Sequence, residues 1–404
     1  MAVSTGRIAG DVDQGYGSIA DAFRRNFADY GEIGAACAVY RDGRKVVDLW
    51  GGYRDAGARA PWERDTLIFW ASATKGMAAL AVLVAQSCGL VDLDEPVACH
   101  WPEFAQNGKE AITLRHLLSH QSGLAALDRR VDYATVADPH ALSAVLAAQR
   151  PWWEPGTHHG YHNVTFGWCE SMLLLRVDPQ KRTIGRFFAE EVAAPLGIEF
   201  YIGLPDSVPD NRCATIHNSP AAWLLHLHKM GWRLVVDMLN PRSPMGSSLR
   251  DLPIPTSGAV SNQQVREYLR IEVPAGNGMG QTRAVARAYG ALATGGQELG
   301  LRPEIVQELE APAVAPPGGF RDVVVHYDEA RTLGFVKPLP GKWFGTRAGR
   351  AFGHHGGGGC GGFADPDVGI GFAYAPNRFM PWHLHMRGDP RKDSLIDALY
   401  QGLG

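Results

Sequence analysis

Trp70-Ala71-Ser72-Ala73-Thr74-Lys75-Gly76 runs directly into the apolar stretch Met77 to Ala85. Read as one helix that ends at Cys88 before the stop signal Gly89, it places the Ser72 hydroxyl in the first turn and the Lys75 ammonium three residues on, along the same face. A serine beside an amine is a nucleophile beside a candidate base. A helix N-terminus also puts partial positive charge where an oxyanion would develop. The pattern suits acyl transfer, yet a serine at a helix start also serves simply as a cap, so the rest of the chain has to decide between the two.

Upstream, Ile19, Phe23 and Phe27 recur every four residues between Asp and Arg, the pattern of an amphipathic helix. Residues 35–40 and 45–50 read as two strands joined by an Asp42-Gly43 hairpin turn and closed by Gly51-Gly52. Downstream, helices are expected at 114–118, 141–148, 164–175, 184–196, 282–292 and 394–403, with the loop Pro151 to Gly156 between the second and third. Strand-like stretches return at 322–327, 332–336 and 369–374. Strands at both ends with helices between predict an α/β fold of the α+β type: an antiparallel sheet flanked by helices, assembled from residues 1–90 and 265–404, and a mainly helical domain over 91–264. Within the latter, the block 219–256 reads either as a cleft-lining insertion or as a buried helix pair.

The 404 residues, 45% of them hydrophobic, suffice for two or three cores, and a net charge of −3 gives no electrostatic footprint for nucleic acid or an anionic membrane. The expected partner is a small molecule; the oligomeric state is not readable. The N-terminal residues lack a signal-peptide core and no apolar run reaches membrane-spanning length, so a cytoplasmic protein is expected. Six scattered cysteines without a C-x-x-C pair indicate neither a disulfide framework nor a thiolate zinc site, but reduced thiols mostly in cores.

Two later stretches bear on Ser72. One is Tyr161-His162-Asn163, preceded by Glu154-Pro155-Gly156-Thr157; the other is Phe352-Gly353-His354-His355-Gly356-Gly357-Gly358-Gly359. A phenol held against a lysine can relay the serine proton, and a glycine-rich strand lets backbone N–H groups approach a substrate closely. The plain alternatives are a loop aromatic, a surface imidazole and a flexible turn. His158-His159-x-x-His162 invites a metal reading, but it follows Pro-Gly in a loop and lacks the spacing of a helical ligand set, so neither metal nor cofactor is expected. His383 and His385 read as sheet-surface histidines. The glycine run lacks the Lys-Ser/Thr of a P-loop, and no G-x-S-x-G elbow occurs.

With S-x-x-K at Ser72 and Lys75, Y-x-N at Tyr161 and Asn163, and H-x-G at His354 and Gly356, the chain resembles the serine β-lactamase-like superfamily, which includes class C β-lactamases, D,D-peptidases and family VIII carboxylesterases. Leu117 to Gly123 and Trp153 to Gly156 look like further family elements. The resemblance implies that Ser72 is acylated, that Lys75 is its hydrogen-bonded activator, that Tyr161 relays the proton and that Asn163 positions Lys75 and substrate. It also implies an oxyanion hole from the backbone N–H groups of Ser72 and Gly357, with His354 beside the acyl or leaving group. Crowding and desolvation would depress the Lys75 pKa. Trp152, Trp153 and either Trp223 or Trp232 would supply aromatic walls. Lactamases and peptidases of the superfamily generally carry lysine where His354 stands, and a mostly neutral imidazole holds a substrate carboxylate less well. The expected activity is therefore carboxylic ester hydrolysis through a Ser72 acyl-enzyme. The rivals are an acyltransferase using the same intermediate, an amide or β-lactam hydrolase, and a non-catalytic binding protein.

Overall fold

The computed structural model describes residues 7–218, 230–255, 257–339, 344–345, 349–380 and 388–403. The chain opens with β1 (Ile8–Val12), α1 (Gly17–Asp29), β2 (Gly34–Arg41) and β3 (Arg44–Asp55), followed by the long helix α2 (Thr74–Ser87). The helical stretch between includes α3 (Trp168–Val177) and α4 (Trp232–Leu239); α5 (Thr282–Ala293) then leads to β4 (Ala330–Thr332), β5 (Phe335–Lys337), β6 (Phe352–His355), β7 (Gly361–Asp365), β8 (Ile370–Pro376) and α6 (Pro390–Gln401).

The main sheet has nine strands in the order β1-β3-β2-β8-β7-β6-β5-β4, with Ala60–Pro61 added to β3, and every pairing is antiparallel. The junction of the two chain ends is the β2–β8 pair, Arg41 facing Ile370 and Ala35 facing Pro376. Side chains alternate across a strand. Cys37 and Val39 of β2 therefore face one core with Phe23 and Leu395, while Ala36 and Ala38 join the other with α2 and α5. The α1 spacing delivers Ile19, Phe23 and Phe27 to the first core, where Phe23 and Phe27 meet edge to face at 5.4 Å. On the other side small residues bring α5 close: a Cβ on Gly371 would lie 2.1 Å from the Gly290 nitrogen.

Helix α2 is buried from Thr74 to Ala85. A helix apolar all round belongs inside a protein, and each of its larger side chains contributes about 1.5–3 kcal/mol by leaving water. The same core continues without a break into the helical stretch through Phe166, Trp168 and Phe187.

Several sequence expectations are corrected. Gly51-Gly52 does not close the hairpin; β3 runs through it to Asp55 and pairs with β1, a strand that short, half-exposed Ile8–Val12 did not announce. Residues 322–327 form a tight turn and not a strand, because the Asp322 carboxylate accepts the N–H groups of Val324 (2.8 Å) and Val325 (2.9 Å), the local competition with a ladder that short acidic side chains offer. Residues 332–336 are two strands, not one: Leu333 (φ 43°) and Gly334 (φ 87°) make a two-residue turn between β4 and β5. Helix α3 begins at Trp168, after Gly167 in the left-handed region, and not at 164. Of the 219–256 block, residues 219–229 (with Trp223) and 256 lie outside the described residues, as do His383 and His385. Its described part holds α4 and a short helix Pro244–Ser248, with Trp232 71% exposed and Met245 packed against the small core of Ala125, Val324 and Val325 that Trp152, Trp153 and Tyr161 also cover. Among the described residues no helix is long and apolar enough to cross a membrane.

Candidate active site

Ser72 stands just outside α2, on the 3-10 turn Ala71–Ala73. The expectation of a first-turn α-helical serine is thus shifted by one short turn. Ala71 has φ 42°, a left-handed conformation that costs a non-glycine residue about 1–3 kcal/mol and persists only where its surroundings over-determine it. Those surroundings are specific. The Thr74 hydroxyl donates to the Ala71 carbonyl (2.6 Å) and accepts from the Gly278 N–H (2.9 Å), while the Trp70 N–H donates to the Gly278 carbonyl (2.9 Å). From the opposite side the Cys360 thiol donates to the Trp70 carbonyl (3.0 Å).

The Lys75 ammonium is fully buried and donates to the carbonyls of Ala275 (2.8 Å) and Asn163 (2.9 Å) and to the Tyr161 hydroxyl (3.1 Å). Tyr161 in turn donates to Ser72 Oγ at 2.6 Å. The geometry is a chain Lys75–Tyr161–Ser72, with Tyr161 between the amine and the serine. Burial pushes the Lys75 pKa well below its ordinary value, and the nearby Arg331 charge lowers it further against a smaller opposing effect of Glu170. Crowding and desolvation were both expected to depress this pKa, and desolvation is the larger cause. Burial raises the Tyr161 phenol to about 12, offset in part by its bond to Ser72 and by Arg331. Asn163 meets Lys75 through its backbone carbonyl.

The Tyr161 loop is held by residues that the motif reading did not single out for the site. Its N–H donates to Asp322 (3.2 Å), and Asp322 accepts from buried Arg331 (2.6 Å). The Arg331 guanidinium lies 5.5 Å from the Tyr161 ring centroid and also pairs with Glu329. Burial raises the Asp322 carboxyl, but Arg331 and the turn N–H groups outweigh it and hold the pKa below the usual range. Behind the ring, His120 stacks against Tyr161 at 5.6 Å and Phe166 at 5.0 Å. His162 donates its N–H to His120 Nδ1 (3.0 Å), and its own ring bonds the Gly160 carbonyl (2.7 Å) and Ser122 (2.9 Å). The three histidines weighed as a metal triad spend ring nitrogens on separate partners: Thr157 for His158, Phe320 and Arg331 for His159, Gly160 and Ser122 for His162. Only the Asp-Val-Val-Val pattern at 322–325 carried a signal for this support, as an Asx turn.

His354 on β6 is buried near Lys75, its Nδ1 bonded to the His355 carbonyl (2.7 Å), and burial, then His355 and Lys75, drive its pKa well below the ordinary value. It is a neutral imidazole. The strand end beyond it presses against the serine turn: a Cβ on Gly356 would lie 2.6 Å from the Trp70 carbonyl oxygen and 2.9 Å from the Ala73 nitrogen. Half-buried Gly357 follows at that contact. Trp152 and Trp153 are half-buried and pack, like Tyr161, against Ala125, Val324 and Val325, their indole N–H groups bonded to the Ala126 and His158 carbonyls (3.0 Å each). Trp232 instead faces solvent on α4. Ser72, Tyr161, Asn163, Gly357 and the two tryptophans are each half-buried.

Comparison with known proteins adds an independent line. A family model described as Beta-lactamase matches residues 19–394. The chain is 33% identical over 381 residues to the esterase/beta-lactamase LipL of Mycobacterium tuberculosis (strain ATCC 25618 / H37Rv), covering 93% of this chain and 84% of LipL. A solved family VIII carboxylesterase superposes with a TM-score of 0.82 at 36% identity, covering 98% of this chain and 100% of its own. A penicillin-binding protein homologue from Caulobacter crescentus does so with a TM-score of 0.82 at 33% identity, over 98% and 100%.

Proposed function

The chain belongs to the β-lactamase family of serine hydrolases, and from that premise we propose that it cleaves carboxylic esters through an acyl-enzyme on Ser72, with Lys75 and Tyr161 as its base system. The observation that carries the reading is the Tyr161 hydroxyl, 2.6 Å from Ser72 Oγ and 3.1 Å from Lys75 Nζ. With Lys75 neutral, the phenol passes its proton to the amine as it takes the serine proton, and Ser72 Oγ bonds to the ester carbonyl carbon. The oxyanion is met by the backbone N–H groups of Ser72 and Gly357, a role supported by the close approach of Gly356 to the serine turn. Collapse breaks the bond to the alkoxy group, which leaves with a proton from the Lys75–Tyr161 pair; water then attacks the acyl carbon by the same relay and frees Ser72.

Ester over β-lactam or peptide substrates is favoured by His354. The similar proteins include an esterase/beta-lactamase and a penicillin-binding protein homologue, but a buried neutral imidazole offers no fixed charge to a substrate carboxylate. A reducing compartment, and hence the cytoplasm, suits the unpaired cysteines, of which Cys88 and Cys99 are exposed. The test is a panel of p-nitrophenyl esters from acetate to longer chains. The reading expects a burst of nitrophenol that Ser72→Ala abolishes, with nitrocefin turned over far more slowly. Absence of turnover across the panel, or nitrocefin turnover matching the esters, overturns it.

A further inference from the structure

The mechanism needs Lys75 and Tyr161 to hold one proton fewer than their ordinary chemistry would give. Lys75 is desolvated, but a buried tyrosine resists ionisation for the same reason, so burial alone does not make the pair a better base for Ser72. A fixed positive charge helps both members at once, because it disfavours the ammonium and favours the phenolate. Arg331 is such a charge. It reaches the site from β4, with its side chain buried and its guanidinium 5.5 Å from the Tyr161 ring centroid. It is held by Asp322 at 2.6 Å, by Glu329 and by His159 Nδ1 at 3.3 Å. His159 bonds the Phe320 carbonyl through its other nitrogen (2.9 Å), so Nδ1 is free to accept from the guanidinium. Asp322 also accepts the Tyr161 N–H, so the residue that aims Arg331 also fixes the backbone of the tyrosine.

We propose that Arg331 is a positioning residue for the activation of Ser72: clamped by Asp322 and Glu329 under the Tyr161 ring, it sets the proton affinity of the Lys75–Tyr161 pair and so the pH at which Ser72 becomes reactive. The inference rests on the reading of Lys75 and Tyr161 as the base system. The other groups around the pair do not supply the same effect. His120 and His162 behind the ring and His354 on β6 are imidazoles that burial holds neutral. Glu170 on α3 favours the Lys75 ammonium, while Glu329, Asp322 and the Tyr327 phenol on the β4 side are acidic groups and oppose ionisation of Tyr161 or are neutral. The positive field of Arg331 and the negative field of Glu329 act on Tyr161 in opposite directions, and this makes the proposal separable from a merely structural role.

The experiment measures, against pH, the rate at which a fluorophosphonate labels Ser72, in parallel with kcat/KM on p-nitrophenyl butyrate, for the full chain and for Arg331→Gln, Arg331→Lys and Glu329→Gln. Labelling reads the proton state of the base whatever the natural substrate. The acid limb should move to higher pH by about 1 unit in Arg331→Gln, as for loss of one charge at this range, with rate recovered at alkaline pH. It should move little in Arg331→Lys and to lower pH in Glu329→Gln. Opposite shifts in the two glutamine variants support the proposal. Acid limbs that stay in place, or that shift the same way in both, overturn it, as does loss of labelling at every pH in Arg331→Gln together with an unmoved limb in Glu329→Gln. Ester turnover that is absent while labelling shifts as stated removes the esterase reading and leaves the inference standing. Normal turnover with an unmoved labelling limb does the reverse.

Discussion

The two halves of the site are built differently. The Ser72 half sits at the mouth of α2, whose residues from Thr74 to Ala85 are buried, and is fixed by neighbours in its own turn and by the backbone of Gly278, just ahead of the short strand Met279–Gly280. The Tyr161 half is a loop with no regular structure, held by buried polar and charged groups: Asp322, Arg331, His120 and His162. Apolar burial positions the proposed nucleophile, and a polar network positions the proposed relay. Networks of that kind are costly to interrupt, because removing one member leaves another buried without its partner. The relay half is therefore where small changes should act most on protonation, and the nucleophile half where they should act on folding.

The largest expected effect lies where the halves meet. Ser72→Ala should lower kcat by about 10^4-fold or more, as for removal of other serine nucleophiles, with the circular dichroism spectrum unchanged. Tyr161→Phe and Lys75→Ala should each lower kcat/KM on p-nitrophenyl butyrate by about 10^2–10^4-fold, the range of a positioned acid–base group. Should Lys75→Ala keep most of the turnover, its place in the relay is wrong.

Next comes the clamp. Asp322→Ala should cost about 3–5 kcal/mol in a urea titration, the usual consequence of leaving one charge of a buried pair alone. Hydrogen exchange in that variant should quicken at residues 157–163 while α2 stays protected; loosening of α2 to the same degree would erase the distinction between the halves.

A smaller effect is set by pH. Burial holds His162 near 3 against an ordinary 6.5, so as pH falls below 6.5 the unfolded chain takes up a proton that the folded chain refuses. Its contribution to stability is complete above 6.5 and is lost on acidification. Between pH 7 and 5.5 the parent should lose about 1 kcal/mol relative to His162→Gln, each pH unit in this window being worth about 1.4 kcal/mol. Buried carboxyls such as Glu170, raised to about 7, run the other way, but they are common to both proteins and cancel in the difference. Smallest of all, Trp232→Ala on exposed α4 should change stability by no more than about 0.5 kcal/mol and leave kcat/KM on short esters as it was.

The same contrast explains what could be read in the sequence. The Ser72 half is local: an apolar run, a serine and a lysine within a few residues, so α2 and the Lys75–Ser72 proximity follow from periodicity. The antiparallel sheet fed by both chain ends was legible for the same reason, since β2, β3 and β8 each carry a short, mostly apolar run, the first two joined by an Asp-Gly turn. The support of Tyr161 is non-local. Val323 to Val325 look like a strand until the Asp322 carboxylate turns the backbone, and Arg331, just ahead of the stretch 332–336 read as a strand, carries no local signal because its partner Asp322 is fixed only by the fold. The relation of Lys75 to Ser72 was also only partly visible. Spacing puts them on one face, but it takes Tyr161, brought in from a distant loop, to link them.

The central claim is that this serine carries the acyl group. Intact-protein mass spectrometry after rapid quenching with p-nitrophenyl butyrate, followed by peptide mapping, tests it most directly. The account predicts one added butyryl group on the peptide containing Ser72, longer-lived in Tyr161→Phe and absent in Ser72→Ala. A butyryl group on another residue, or undiminished turnover in Ser72→Ala with no adduct at all, would contradict it.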